Sequence, residues 1–119
     1  MTTRLFTIFI LALTLLMLAV TTAWAENCET IRFQRGHSSA AIEGVAPPDS
    51  ALCYQITTAA GQTADIAISG VNMMFSIEGV TDAQDKYRFT TEKKTYRITV
   101  SQLMRSVTNE PFTLTVAIE

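Results

Sequence analysis

Hydrophobic and polar residues alternate with a period of two along much of the chain, which is the pattern of strands with one buried face. The clearest run, at 112–118, has its hydrophobic residues at every second position. The run at 95–101 repeats the pattern with Tyr96, Ile98 and Val100. Further alternating runs occupy 52–57 and 63–69, and weaker ones occupy 31–35, 39–45, 73–78 and 86–90. The pattern therefore predicts eight strands.

Residues that favour turns separate these runs. They comprise Gly36-His37, 47–50, Gly61-Gln62, Gly70 with Asn72, Gly79 with Asp82, 92–94 and the polar connection 106–111. No segment after residue 25 has a helical period. Short strands joined in this way predict an all-β fold, a small antiparallel β-sandwich of jelly-roll type. The pattern leaves the strand order open.

The first 25 residues have the features of a secretory signal peptide. Arg4 precedes an apolar run at 5–20, and Ala23-Trp24-Ala25 supplies the small residues of a cleavage site after Ala25. The alternative, an uncleaved anchor, is disfavoured because this run is marginal for a bilayer core about 30 Å thick. We therefore expect a signal peptide at 1–25, one domain at 26–119, and a periplasmic or secreted protein without a stable membrane anchor.

Charge and cysteine content narrow the function classes. Removal of Arg4 leaves eight basic and eleven acidic residues, a net charge of −3, which argues against nucleic acid as a partner. Cys28 and Cys53 are the two cysteines, and in an oxidising compartment they predict one disulfide. Lipidation of Cys28 is disfavoured because Glu26-Asn27 precede it. A metal site is disfavoured because His37 is the one histidine, and we expect no cofactor.

Catalytic groups are hard to assemble from this sequence. His37 adjoins Ser38 and Ser39, but neighbouring side chains on an extended chain point apart, so a turn is the better interpretation than a hydrolase triad. The carboxylates are spread over turns and polar strand positions, and no two stand out as the acid and base of a glycosidase. The expectation is a protein that is not an enzyme.

Two connections are candidates for contact with a partner. The first, after the strand at 95–101, mixes Leu, Met and Arg, a composition typical of contact surfaces. The second is the segment 47–50. The alternative is that Leu103 and Val107 merely cover the end of the sandwich. The predicted contact residues are Arg105, Gln102, Met104, Pro47, Pro48, Asp49 and Ser50.

Several segments together resemble one family. The stretch IRFQRGHSSA at 31–40, followed by Gly44, Tyr54 and Gly61-Gln62, is similar to the start of periplasmic inhibitors of goose-type lysozyme. The stretch TYRITVSQ at 95–102 resembles a late strand of that family. A looser resemblance, in the Gly-Gln turn and the late strand, extends to bacterial pre-peptidase C-terminal domains.

The resemblance implies a small β-sandwich that inhibits a muramidase by inserting loops into its substrate cleft. The loops depart from the family pattern, with Pro47-Pro48-Asp49-Ser50 where the inhibitors carry tyrosines and Arg105 where they carry several basic residues. The expected partner is thus a goose-type lysozyme or another cell-wall-associated protein. The alternative is a cell-envelope β-sandwich domain that binds peptidoglycan, carbohydrate or another protein.

Overall fold

The computed structural model describes residues 27–119, so the predicted signal peptide at 1–25 lies outside the described residues. Nine strands make up this part of the chain. They are β1 (Glu29–Thr30), β2 (Ser39–Ala46), β3 (Leu52–Thr58), β4 (Thr63–Ser69), β5 (Met73–Ile77), β6 (Thr81–Gln84), β7 (Lys86–Thr90), β8 (Lys94–Gln102) and β9 (Glu110–Ile118). The described residues contain no helix.

The strands form two sheets that pack face to face. One sheet has the order β1-β3-β8-β5-β6 and the other has the order β2-β9-β4-β7. Neighbouring strands run antiparallel except for β1 and β3, which are parallel. The predicted all-β sandwich is therefore confirmed. Within residues 27–119 there is no helix of the length and apolarity needed to cross a bilayer.

The inward faces of both sheets supply the core, as the alternating pattern predicts. Phe75, Ile98 and Val100 from one sheet and Leu114 and Val116 from the other are completely buried. Outward positions on the same strands carry mainly threonine, serine and charged residues. Burial of these apolar side chains is the main source of stability, at about 25 cal/mol for each Å² removed from water.

Two elements differ from the sequence prediction. The segment 31–35 is not a strand, because the chain turns where the amide of His37 donates to the carbonyl of Gln34 at 2.9 Å. The ladder between β1 and β3 ends at the first residue of this segment, where the amide of Ile31 donates to the carbonyl of Gln55 at 2.8 Å. Conversely, the sequence does not predict β6, because TDAQ lacks a hydrophobic face, and an extra residue in β6 shifts the register of its pairing with β5.

The predicted disulfide between Cys28 and Cys53 is confirmed. It joins the residue before β1 to the second residue of β3, and the two Cα atoms are 4.6 Å apart. Since the β1–β3 ladder is only two residues long, the disulfide is a major tie between this segment and the sheet.

The Gly-Gln turn, at one end of the sandwich, is a structural motif. The buried Thr91 hydroxyl donates to the carbonyl of Ala59 at 2.7 Å and accepts the amide of Gln62 at 3.2 Å. The side-chain oxygen of Gln62 accepts the Ala59 amide at 2.9 Å, which closes the turn on itself. We call the region formed by 59–62, 91–93 and Glu119 the turn end. Its hydrogen bonds are internal, so we assign this motif to the fold rather than to partner binding.

Candidate functional site

Strand register gathers three connections at the other end of the sandwich. Ala46 at the end of β2 pairs with Glu110 at the start of β9, and Met73 at the start of β5 pairs with Gln102 at the end of β8. The segments 47–51, 70–72 and 103–109 therefore emerge side by side, and we call them together the loop end. The loop end contains or directly adjoins all seven residues predicted to contact a partner.

Exposed apolar side chains concentrate at the loop end. Among residues 27–119, the large hydrophobic side chains that are exposed all lie in its segments or next to them. They are Val45 (56% exposed), Val71 (73%), Leu103 (59%), Met104 (70%) and Val107 (94%). Leu103 and Val107 are thus too exposed to be covering the core. Clustered apolar exposure of this kind is a common feature of binding surfaces, so the loop end is the candidate site.

Hydrogen bonds from Gln102 hold the base of the β8–β9 connection. Its side-chain amide donates to the carbonyl of Ala46 at 3.1 Å and to the carbonyl of Thr108 at 2.9 Å. Its side-chain oxygen accepts a hydrogen bond from the side-chain nitrogen of Asn72 at 3.3 Å. Gln102 therefore links all three segments of the loop end, and its polar atoms are occupied within the molecule.

A second set of hydrogen bonds orders the far side of this connection. The Ser106 hydroxyl accepts the Thr108 amide at 3.1 Å and lies 3.1 Å from the Thr108 hydroxyl. The Thr108 hydroxyl in turn donates to the Glu110 carboxylate at 3.2 Å. Short polar side chains that bond to nearby backbone in this way stabilise a turn without regular secondary structure.

Arg105 lies within this ordered connection. Its side chain is exposed and has no hydrogen bond or ion pair to any residue within 27–119. Met104 precedes it, and Asp49 and Ser50 are exposed on the neighbouring segment, whereas Pro47 and Pro48 are half-buried. The loop end thus presents a guanidinium with free donors beside apolar side chains, a combination suited to a carboxylate-bearing protein surface.

A shallow groove continues from the loop end along the outer face of the second sheet. It has a volume of about 570 Å³, and Val45, Ser69, Gly70, Pro111 and Thr113 are among the residues that line it. Since Val45 belongs to both the groove and the exposed apolar set, the two surfaces are continuous.

The structure gives little support to a catalytic or metal site. His37 is exposed in a turn near the turn end, where Gly36 has φ +82°, as expected for the turn interpretation. Burial raises the pKa of the Tyr54 phenol and the Glu29 carboxylate raises it further, so the surroundings of Tyr54 make this phenol a weaker acid rather than an activated one. Within residues 27–119, no three His, Cys, Asp or Glu side chains are placed to hold a metal ion.

Solved structures with the same fold include the family that the sequence resembles. The periplasmic inhibitor of g-type lysozyme PliG from Aeromonas hydrophila has a TM-score of 0.67 and 24% identity, over 77% of this chain and 96% of that one. PliG from Salmonella Typhimurium has a TM-score of 0.65 and 17% identity, over 80% and 100%. The pre-peptidase C-terminal domain of Bacillus anthracis collagenase has a TM-score of 0.58 and 12% identity, over 82% and 100%.

These likenesses establish the fold and confirm the resemblance expected from the sequence motifs. No model of a protein family matches the chain, and no curated protein matches it.

Sequence reasoning missed two parts of the site. Val45 and Val71 belong to the exposed apolar set, but neither lies in a segment whose composition marks a contact surface. Asn72 was noticed only as a turn residue, although it bonds to the β8–β9 connection. The turn signal at Gly70 and Asn72 was present, but its position beside 103–109 depends on the pairing of β5 with β8.

Proposed function

We propose that this protein is a non-enzymatic, periplasmic inhibitor of g-type lysozyme that inserts its loop end into the cleft of the enzyme. The fold it shares with PliG proteins supports the choice of partner. The observation that carries the mechanism is Arg105, whose side chain has no partner among residues 27–119, in a loop end with exposed apolar side chains. Inhibition of this kind requires shape and charge complementarity but no chemical step.

The carboxyl groups expected in the cleft of a g-type lysozyme would complement the side chains of the loop end. Glycosidases position carboxyl groups at the bond that they cleave. A guanidinium presents five donors in a planar fork that matches a carboxylate, so Arg105 would pair with an acidic residue of the cleft. Leu103 and Met104 would bury against its walls, which excludes water and strengthens the ion pair.

The remaining contact residues have supporting roles in this proposal. Asp49 and Ser50 are exposed polar groups at the rim, while Pro47 and Pro48 stiffen the segment that carries them. Gln102 acts indirectly, because its polar atoms bind Ala46, Thr108 and Asn72 rather than facing outward. A base held by such bonds loses less conformational entropy on binding.

The side chains at the loop end favour a protein partner over a sugar. The exposed large hydrophobic residues there are aliphatic or thioether side chains. Sugar-binding platforms rely on large exposed rings, and the sole tryptophan of the chain, Trp24, lies within the predicted signal peptide. Periplasmic export agrees with the disulfide, which requires an oxidising compartment.

Inhibition of cell-wall lysis tests the proposal directly. Oxidised protein comprising residues 26–119 should inhibit a g-type lysozyme at micromolar concentration. The Arg105→Ala variant should bind at least about tenfold more weakly, since truncating one member of a desolvated charge pair costs about 2 kcal/mol or more. Lys93→Ala, at the exposed turn end, is the matched control and should inhibit like the wild type.

Unchanged lysis in the presence of excess wild-type protein would reject the lysozyme as the partner. In that case, retention of the protein on purified cell wall without lysozyme would support the alternative, a domain that binds the envelope itself.

A further inference from the structure

Asn72 makes an unusual set of bonds to the loop that carries Arg105. Its side-chain oxygen accepts the amide of Met104 at 2.8 Å, and its side-chain nitrogen donates to the carbonyl of Met104 at 2.9 Å. Its own carbonyl accepts the amide of Leu103 at 2.8 Å. Both backbone groups of Met104 are therefore paired with one side chain, in the manner of two residues exchanging bonds between strands.

The backbone of Asn72 explains why asparagine suits this position. It has φ +60°, a left-handed conformation that most side chains disfavour and that glycine and asparagine tolerate. Glycine would satisfy the backbone equally well, but it would leave Met104 without partners. The residue type is thus matched to the loop as well as to the turn.

Core packing does not account for these bonds. Met104 is 70% exposed and Leu103 is 59% exposed, so the segment that Asn72 holds contributes no buried side chain there. What the bonds do hold is the backbone of Met104, the residue immediately before Arg105.

We propose that Asn72 is a positioning residue of the binding site, which holds Met104 so that Arg105 is pre-oriented toward the partner. This inference rests on the proposed function of the loop end. Asn72 itself makes no contact with the lysozyme in this scheme. Its effect on affinity comes from removing alternative loop conformations before binding.

Three substitutions separate the backbone effect from the side-chain effect. Asn72→Gly keeps the left-handed backbone and removes both bonds to Met104. Asn72→Ala removes the bonds and strains the backbone. Asn72→Asp keeps an acceptor for the Met104 amide but turns a carboxylate oxygen toward the Met104 carbonyl and the side-chain oxygen of Gln102, so it tests the acceptor bond by itself.

Two measurements, hydrogen exchange and inhibition, test the expected effects of these substitutions. In Asn72→Gly, the Met104 amide should exchange about five- to tenfold faster, the loss expected for one ordinary hydrogen bond. Inhibition should weaken by a similar factor while the urea midpoint of unfolding stays close to that of the wild type. Asn72→Asp should retain most of the protection at Met104 and inhibit better than Asn72→Gly.

A double-mutant comparison tests whether Asn72 acts through Arg105. In the Arg105→Ala background, Asn72→Gly should weaken inhibition by a smaller factor than in the wild type, because Arg105 is gone and only Leu103 and Met104 remain for Asn72 to position. A full additive loss would overturn the proposal, since it would mean that Asn72 acts independently of Arg105.

The exchange measurement needs no lysozyme, so it separates this inference from the proposed function. Equal exchange of the Met104 amide in wild type and Asn72→Gly would overturn the positioning role alone. If Asn72→Gly proves unstable, Asn72→Ala provides the same comparison, since it also removes the side-chain bonds to Met104, and equal exchange of the Met104 amide in that variant would overturn the positioning role. Loss of protection together with no inhibition by wild type would overturn the proposed function but support the hold of Asn72 on the loop.

Discussion

Gly44 of β2 and Phe112 of β9 occupy paired positions in the second sheet, and the phenyl ring lies over the glycine. A Cβ atom at position 44 would lie 2.6 Å from Cζ and 2.9 Å from Cε1 of Phe112, which is 4% exposed. The ring sits in the core and cannot move away freely. The glycine is therefore required by packing rather than by a turn.

Gly44→Ala should accordingly destabilise the protein by about 1–3 kcal/mol, the usual range for overpacking. The urea midpoint of unfolding should fall without a change in the slope of the transition. Ala41→Ser, at an exposed position on the same strand, should leave the midpoint within error. An unchanged midpoint for Gly44→Ala would mean that the ring shifts at no cost.

Residues of the candidate site could be proposed from the sequence where composition marked them. Arg105 and Met104 stand out in the sequence because a basic and a large apolar residue occur in a long polar connection. Asn72 could not be chosen in this way, because its bonds are to a residue about thirty positions later in the chain. Gln102 was placed correctly in the loop region, but its side chain is used for bonds within the molecule.

At the scale of elements, β1 is the most weakly held strand. It is two residues long, its two side chains are exposed, and its ladder with β3 is the only parallel pairing among the described strands. The disulfide between Cys28 and Cys53 holds β1 against β3 where the two-residue ladder provides few hydrogen bonds. It closes a loop with a sequence separation of 25 residues.

Replacing both cysteines by serine should lower the free energy of unfolding by about 3.5 kcal/mol on the chain-entropy account of disulfides. Loss should begin at β1, so amide protection at Ile31 should disappear before that of β8 or β9. Chemical denaturation with and without reductant measures the effect, with the serine variant as the reductant-insensitive control. Equal stability of the oxidised and the reduced protein would show that the β1–β3 ladder holds this segment without the disulfide.

Prediction of the elements succeeded where side chains alternate strongly. β8 and β9 bury an unbroken row of hydrophobic residues, so period-two alternation identified both. β6 has four residues and no apolar face, so the same rule missed it. The segment 31–35 contains two well-spaced hydrophobic residues, yet hydrogen bonding of a turn at Gln34 and His37 prevails over that weak pattern.

For the whole molecule, charge contributes differently to folding and to binding. Asp65 and Arg88 form an ion pair of 2.8 Å on the outer face, with side chains 29% and 71% exposed, and such pairs stabilise a fold little. The core is apolar, so stability rests on burial and on the strand ladders. Binding through Arg105 would depend on an attraction between proteins that salt screens.

Raising the salt concentration from about 0.05 M to about 0.5 M should therefore leave the unfolding midpoint nearly unchanged but slow association with the lysozyme several-fold. Arg105→Ala should show a smaller salt effect than the wild type. Stopped-flow association and thermal unfolding at each salt concentration provide the comparison. Equal salt dependence in both proteins would exclude Arg105 as the steering charge.

The course of β9 determines how this protein can be handled in such experiments. The strand begins beside Ala46 and runs the full length of the sheet, so that Glu119 exchanges backbone hydrogen bonds with Thr63. A biotin tag or fluorescent label fused after Glu119 would thus be attached on the side facing away from Arg105. Chip-bound molecules would all display the same face to the solution, which makes this end of β9 the preferred anchor for kinetic measurements.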